Sequence, residues 1–163
     1  PKLTGGFGFT LRYDRFSLNV FCNYRWGNKI VNMARMNAEN MYHAYNQCTT
    51  VNWRWRKDGD VTEIPRALFQ SGYNWLGSDR FVEDGSYLRL KNLQLGYNFC
   101  ERLLKIKGIS YLRLYVSAQN LFTLTKYSGL DPEIGSSNAT LNGIDQGFYP
   151  QARTWTVGLN IKF

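Results

Sequence analysis

The sequence has no run of about 18 consecutive apolar residues, so no segment of it is expected to cross a bilayer as a helix. Histidine is scarce: His43 is the only one. The three cysteines, Cys22, Cys48 and Cys100, contain no CxxC pair. Neither a Cys–His nor a Ser–His–Asp arrangement has supporting context, so no catalytic residue, metal ligand or cofactor is assigned and the chain is not read as an enzyme. An odd number of cysteines cannot pair completely within one chain, and these three read as small apolar fillers. Acidic residues are few, 12 against 20 Lys and Arg, for a net charge of +8. A solvated basic surface, anionic lipid head groups or nucleic acid each fit that excess. The basic residues are scattered, with one loose cluster at Arg102, Lys105 and Lys107, which disfavours nucleic acid. The chain opens at Pro1 without an initiator Met or a signal peptide, in a loop-like phrase, PKLTGGFGF. It is therefore expected to be the C-terminal piece of something longer, with any export signal upstream.

What the chain does have is aromatics (16%), 15 Gly and strict side-chain alternation. A mean hydropathy of −0.41 leaves membrane strands open, because alternating strands average out as polar. Strands are expected near residues 5–13, 16–26, 85–99, 109–124 and 153–163. Phe7, Phe9, Leu11 and Tyr13 alternate with Gly6, Gly8, Thr10 and Arg12. Gly6 and Gly8 carry only a very weak phosphate-loop signal, because no helix follows. After Asp14-Arg15, Phe16, Leu18, Val20, Cys22, Tyr24 and Trp26 take one face, with Phe21 the exception on the other. Leu93, Leu95, Tyr97 and Phe99 share a face, while Leu88 and Leu90 have the opposite parity. That phase switch predicts a β-bulge near Lys91-Asn92. In the last eleven residues Trp155, Val157, Leu159, Ile161 and Phe163 alternate with Thr154, Thr156, Gly158, Asn160 and Lys162.

Between the strands, connections sort by length. Tight turns follow the first and third strands; long loops near 27–84 and 126–152 follow the second and fourth. With antiparallel neighbours, all short turns lie at one end and all long loops at the other, as in outer-membrane barrels. The charges Arg12, Arg25, Arg113 and Lys162 fall opposite the apolar face, which suits a watery lumen; a soluble sandwich also turns charges outward. Five strands do not close a barrel, so further strands are expected from upstream sequence. Inside the first loop, Met33 to Gln47 is expected to contain a short helix capped by Asn32.

An alternating strand that ends on an aromatic residue resembles the terminal strand of bacterial outer-membrane β-barrels. There it is part of the signal read by the barrel-assembly machinery, a role that the resemblance extends to Trp155, Val157, Leu159, Ile161 and Phe163. The phrases SYLRLKNLQLGY, YVSAQNLFTLTKYSGLDPE and YPQARTWTVGLNIKF, in that order, resemble the C-terminal end of the SusC/RagA family of TonB-linked outer-membrane proteins of Bacteroidetes. GGFGFTLRYDRFSLNVFCNYRWGNKIVN and TEIPRA fit the same pattern. The resemblance implies an all-β fold, an antiparallel segment of a 22-stranded transmembrane barrel with long extracellular loops. The plug domain and TonB box are absent from this stretch. It also implies import of glycans or peptides together with a SusD-like lipoprotein. TonB–ExbB–ExbD would act through the missing N-terminal part. Lipid and lipopolysaccharide would surround the barrel, with the C-terminus in the periplasm.

Flat rings stack on sugars and peptide side chains and anchor protein interfaces. Trp53, Trp55, Tyr73 and Trp75 in the first loop, with Phe148 and Tyr149 in the second, are therefore the candidate ligand or lid contacts; the alternative is that they pack the loops together. Asp131, Glu133 and Asp145 have the chemistry for a cation but no EF-hand spacing, and ordinary loop solvation accounts for them. Within the resemblance, GLDPE at 129–133 is a recurring phrase with a loop-structuring role. Asn138-Ala139-Thr140 is a glycosylation sequon by spelling only. From another class, a secreted β-sandwich that binds polysaccharide or acts as an adhesin remains the rival reading, and it needs its strands to be complete and soluble.

Overall fold

A computed structural model of the chain describes residues 1–99, 108–135 and 141–163. The basic cluster at Arg102, Lys105 and Lys107, Cys100 and the sequon at Asn138 lie outside the described residues. The strands in chain order are β1 (Leu3–Tyr13), β2 (Phe16–Trp26), β3 (Lys29–Asn32), β4 (Val82–Asp84) and β5 (Tyr87–Phe99), then β6 (Tyr111–Gln119), β7 (Thr123–Thr125), β8 (Ile144–Asp145) and β9 (Thr154–Lys162). One helix, α1 (Met33–Glu39), follows β3 directly. The chain divides into two compact units: residues 1–27, 86–126 and 150–163 form one, and residues 28–85 and 127–149 the other.

The first unit is an antiparallel sheet in the order β1-β2-β5-β6-β9, with β7 also paired to β5. Its five long strands have 9 to 13 residues, close to the roughly 9–11 that a tilted strand needs to cross a hydrocarbon core. The register carries the alternation across the whole sheet. Leu11 pairs with Leu18, Leu18 with Leu95, Leu95 with Val116, and Val116 with Val157. The opposite face runs through Thr10, Asn19, Gln94, Ser117 and Thr156.

The bulge predicted at Lys91-Asn92 is present. Phe21 pairs with Asn92 but Cys22 pairs with Leu90, so Lys91 is the extra residue of β5. The insertion resets the phase and brings Leu90 and Leu88, opposite Cys22 and Tyr24, back to the apolar face. Phe21, the exception in the alternation, lies on the polar face across from Gly8. A Cβ at Gly8 would meet the Phe21 ring at 3.1 Å, and one at Gly6 would meet it at 2.9 Å, so the two glycines leave the ring its space. Tyr115 covers Gly158 in the same way at the other side of the sheet.

The connections sort by end. Tyr13 and Phe16 flank the tight turn, where Asp14 adopts φ +49°, a left-handed conformation that Asp tolerates. Tyr97, Phe99, Tyr111 and Lys162 lie toward that same end. Trp26, Tyr87, Thr125 and Thr154 lie at the other end, where both long excursions leave and re-enter.

Much of the apolar face is exposed, although Leu90 and Ala118 on it are buried. Phe9 is 55% exposed, Leu11 59%, Leu95 51% and Val157 71%. A β-sandwich buries this face against a second sheet. Here it forms a continuous apolar patch across five strands, far beyond the scattered exposure of a soluble surface. Exposure of this kind suits an apolar medium better than the inner face of a sandwich. Replacing Leu95 by Arg is expected to cost about 2–4 kcal/mol in lipid, whereas Gln94→Arg on the other face is expected to change stability by less than about 0.5 kcal/mol. Urea unfolding of the folded protein in phosphocholine vesicles measures both. Equal losses would show that the apolar face does not meet lipid.

Candidate functional site

The predicted contact residues all fall in the second unit, and its local structure explains how they are held. Asn32 caps α1, its side chain accepting from Arg35 N at 2.9 Å. The helix ends after seven residues, well short of Gln47. The cause is local: Asn40 Oδ1 accepts from Tyr42 N at 2.9 Å and Met41 turns to φ +53°, so a side-chain bond replaces the next helical turn. Met41 then packs with Val51 and Ile64 in a small buried cluster.

Trp53 and Trp55 sit on a folded excursion. Trp55 N donates to Ile64 O at 2.9 Å, and Thr62 Oγ1 donates to Trp53 O at 2.6 Å. The charged turn closes on Asp60, whose Oδ2 accepts from Arg56 N and Lys57 N, while Gly59 supplies φ +95°. Trp53 is consequently fixed by its backbone while its side chain stays exposed. Trp55 is half-buried. Tyr73 and Tyr149 are exposed, and Trp75 and Phe148 are partly so. Trp75 lies 6.0 Å from the Tyr42 ring, which itself meets His43 edge-on at 4.8 Å. Among the described residues no ring contact joins Trp53, Trp55, Tyr73, Phe148 and Tyr149 to one another. These rings do not form one stacked cluster, and Trp53, Tyr73 and Tyr149 are not consumed in packing.

Sequence reasoning missed what holds the unit together, a set of buried carboxylates. Glu39 is 1% exposed. Its Oε1 accepts from Arg35 Nε and Thr50 Oγ1, both at 3.0 Å, and its Oε2 accepts from Arg80 Nη2. Arg35 Nη1 reaches on to Glu83 Oε1 at 3.1 Å. Glu83 also accepts from Asn32 Nδ2, Ser128 Oγ and Ser128 N. Ser128 belongs to the second excursion, so Glu83 ties residues 28–85 to 127–149. Val31 pairs with Ile144 in the sheet β4-β3-β8, which adds a second tie.

Asp145 makes a third. It is buried, takes the Tyr127 hydroxyl on Oδ2, and takes Gly147 N at 2.8 Å and Phe148 N at 3.2 Å on Oδ1. These bonds set the backbone that presents Phe148 and Tyr149. Asp131 Oδ1 accepts from Glu133 N at 2.8 Å, a turn bond within the GLDPE phrase. Asp131, Glu133 and Asp145 do not converge; among the described residues no group of three or more possible ligands is placed to hold a metal ion. A cavity of about 670 Å³ opens beside Arg35, Glu39, Ser128 and Leu130.

Burial raises the Tyr127 phenol, and its hydrogen bond to Asp145 raises it further, so it remains a neutral donor. At Glu83 burial acts upward, but the hydrogen bonds from Ser128, Arg35 and Asn32 together outweigh it and hold the carboxyl below its ordinary value.

Comparison with known proteins decides the family. No family model matches the chain. Over its whole length the chain is 39% identical to TonB-dependent receptor P3 of Formosa agariphila, of which it covers 16%. Over 60% of its length it is 42% identical to TonB-dependent receptor SusC of Bacteroides thetaiotaomicron, of which it covers 9%. The RagAB peptide importer in its closed-closed state superposes with a TM-score of 0.80 at 30% identity, covering 98% of this chain and 17% of the importer chain. The chain belongs to the SusC/RagA family of TonB-dependent receptors. It spans about a sixth of the length of the TonB-dependent receptors that it matches along its whole length. Within this SusC/RagA segment the antiparallel sheet corresponds to barrel wall.

The Glu83 network generates a pH dependence for the receptor segment. A carboxyl with a lowered folded pKa stabilises the fold above its unfolded value, about 4.3, and that stabilisation is lost as pH falls through the folded value. Residues 28–85 are expected to exchange amide hydrogens faster below about pH 4. Glu83→Gln is expected to exchange faster at neutral pH, by the equivalent of about 1–3 kcal/mol, and to show a flatter acid response. Hydrogen exchange across pH 7 to 3 reads both; an unchanged acid slope in the variant would assign the transition elsewhere.

Proposed function

We propose that this chain is the C-terminal part of the barrel of an outer-membrane TonB-dependent importer, in which it forms wall strands and the long loops that connect them. The observation that carries the proposal is the exposed apolar face across β1, β2, β5, β6 and β9, in a chain whose likeness to the RagAB peptide importer extends over 98% of its length. The edge strands β1 and β9 need partners in lipid, because each unpaired backbone group there costs several kcal/mol. In the proposed protein, strands from the rest of the receptor supply them and a plug domain fills the lumen. The long excursions face outward, the tight turns and Phe163 face the periplasm, and lipid and lipopolysaccharide cover the apolar face. Transport is gated passage, without a chemical step, driven through TonB–ExbB–ExbD acting on a part of the receptor outside this chain. A SusD-like lipoprotein closes over the excursions, and the cargo is a glycan or peptide fragment.

An antibody against residues 153–163 is expected to detect a heat-modifiable outer-membrane band far larger than this chain, co-purifying with a lipoprotein. A soluble band at 18.9 kDa without a heat shift would overturn the importer reading. The apolar alternation from Trp155 to Phe163 further supports a role in assembly, so deleting Phe163 is expected to reduce the heat-shifted band severalfold. An undiminished band would remove Phe163 from the assembly signal.

Trp53 and Trp55 are the proposed contacts to cargo or lid, with Tyr73, Trp75, Phe148 and Tyr149 as further candidates, because fixed exposed rings lose little entropy on binding. Trp53→Ala combined with Trp55→Ala is expected to weaken binding of the lipoprotein or uptake of cargo by about tenfold, the scale of an aromatic anchor. Unchanged lid affinity together with unchanged uptake would reject that assignment.

A further inference from the structure

We propose that Tyr127 and Asp145 are positioning residues, which together hold the tip Gly147-Phe148-Tyr149 in the conformation in which it meets the lipoprotein lid. The inference rests on the reading of Phe148 and Tyr149 as contact residues, and it deepens that reading by naming what sets them.

The first observation is that both partners are buried by this chain's own residues. Asp145 is 4% exposed and Tyr127 6%. Further strands and loops of a receptor add cover to such groups, so the pair stays internal in the whole protein. A carboxylate in such a place costs free energy unless donors surround it. Asp145 has three, and they divide between its oxygens. Oδ2 takes the Tyr127 hydroxyl, while Oδ1 takes Gly147 N at 2.8 Å and Phe148 N at 3.2 Å. One oxygen anchors the side chain, and the other aims the backbone of the tip.

The second observation is how the pair is itself held. Asp145 lies on β8, which runs parallel to β3 with Asn32 opposite Asp145. Just before it, Gly143 O accepts from Val31 N at 2.8 Å. Tyr127 packs with Ile30 and Ile134. The GLDPE phrase contributes Gly129: a Cβ there would stand 2.6 Å from the Tyr127 hydroxyl oxygen, so the glycine leaves the ring its path to Asp145. Beyond the carboxylate, Gly147 takes φ +91°, in the left-handed region, immediately before Phe148. A glycine at that point gives an unrestrained chain many directions. The two bonds to Oδ1 span the glycine and remove that freedom.

A tip fixed before contact loses less conformational entropy on binding than a loose one. The advantage is realised with a partner of fixed shape. A folded lipoprotein is such a partner and a mixture of cargo fragments is not, which favours the lid. Tyr127, being buried, does not touch the lid; it acts through the rings that Asp145 presents.

The test uses the intact receptor and its co-purified lipoprotein, separated and re-bound in detergent. Tyr127→Phe keeps the ring and removes the hydroxyl. It is expected to speed amide exchange at Gly147 and Phe148 about tenfold and to weaken lipoprotein binding by a similar factor, while residues 51–64 keep their exchange rates. The deciding readout is a double-mutant cycle. In a Phe148→Ala/Tyr149→Ala background, Tyr127→Phe is expected to change lipoprotein affinity by less than about twofold, because its effect runs through those rings. If Tyr127→Phe gives no heat-shifted band, Asp145→Asn, which keeps the shape but weakens the acceptor, is expected to show the same pattern severalfold. Unchanged lipoprotein affinity in Tyr127→Phe, or equal losses in both backgrounds, would overturn the positioning role. A Phe148→Ala/Tyr149→Ala receptor that binds the lipoprotein as tightly as the wild type fails the contact reading instead, and the positioning role falls with it, so the two failures are distinguishable.

Discussion

The structure depends on one constraint: across five paired strands, every second side chain must suit an apolar solvent. The hydrogen-bonded register enforces it, because a slip of one residue on any strand would exchange the two faces. The sequence breaks phase once within β5, at Lys91, and the extra residue corrects it by restoring Leu88 and Leu90 to the side of Leu93 and Leu95. Phe21 breaks the polar side by bulk rather than phase, and Gly6 and Gly8 make room for it. A sheet with an apolar side this large and this uncovered is stable only where the surrounding medium is itself apolar. That medium in turn requires paired edges, which links the exposed face to a closed barrel.

Charge is divided between the two units in a way that follows from their surroundings. The acidic residues of the excursions are structural. Glu39 and Asp145 are buried and Glu83 is half-buried, and each accepts hydrogen bonds from residues far apart in sequence. Long connections without regular structure lose much conformational entropy on ordering, and buried ion pairs alone recover little of it. Here each carboxylate also takes backbone or hydroxyl donors, so the oxygens are satisfied and the connections become one compact body that presents rings at fixed positions. The strands of the larger sheet, by contrast, contain no carboxylate at all.

The alternation made most of the sheet legible from the residues alone, including the bulge, because Leu90 and Leu93 have opposite parities and only an inserted residue puts both on one face of a continuous strand. The sorting of short and long connections was legible too, since it needs only strand count and antiparallel order. The small sheet was not. β3, β4 and β8 have two to four residues each, too few for a period, and Val31 finds Ile144 more than a hundred residues away. The early stop of α1 is set by Asn40 bonding forward to Tyr42, a side-chain competition that good helix formers downstream concealed. Glu39 looked like any surface residue of an amphipathic helix; Arg80, its partner across 41 positions, becomes a partner only once the excursion folds. The aromatic candidates were legible as residue types, but which of them stay exposed is a property of the fold.

The arginines of the polar face follow the same logic. Arg113 is seated over Gly96 and bonded to Ser17 Oγ, so part of its guanidinium is satisfied within the sheet. Each such group repels its neighbours, and the strands of this sheet contain no acid to offset them. Inside a lumen backed by a low-dielectric wall the field of these groups extends further than in open solution. That field acts first on whatever lies against the polar face, which in the proposed importer is the plug domain.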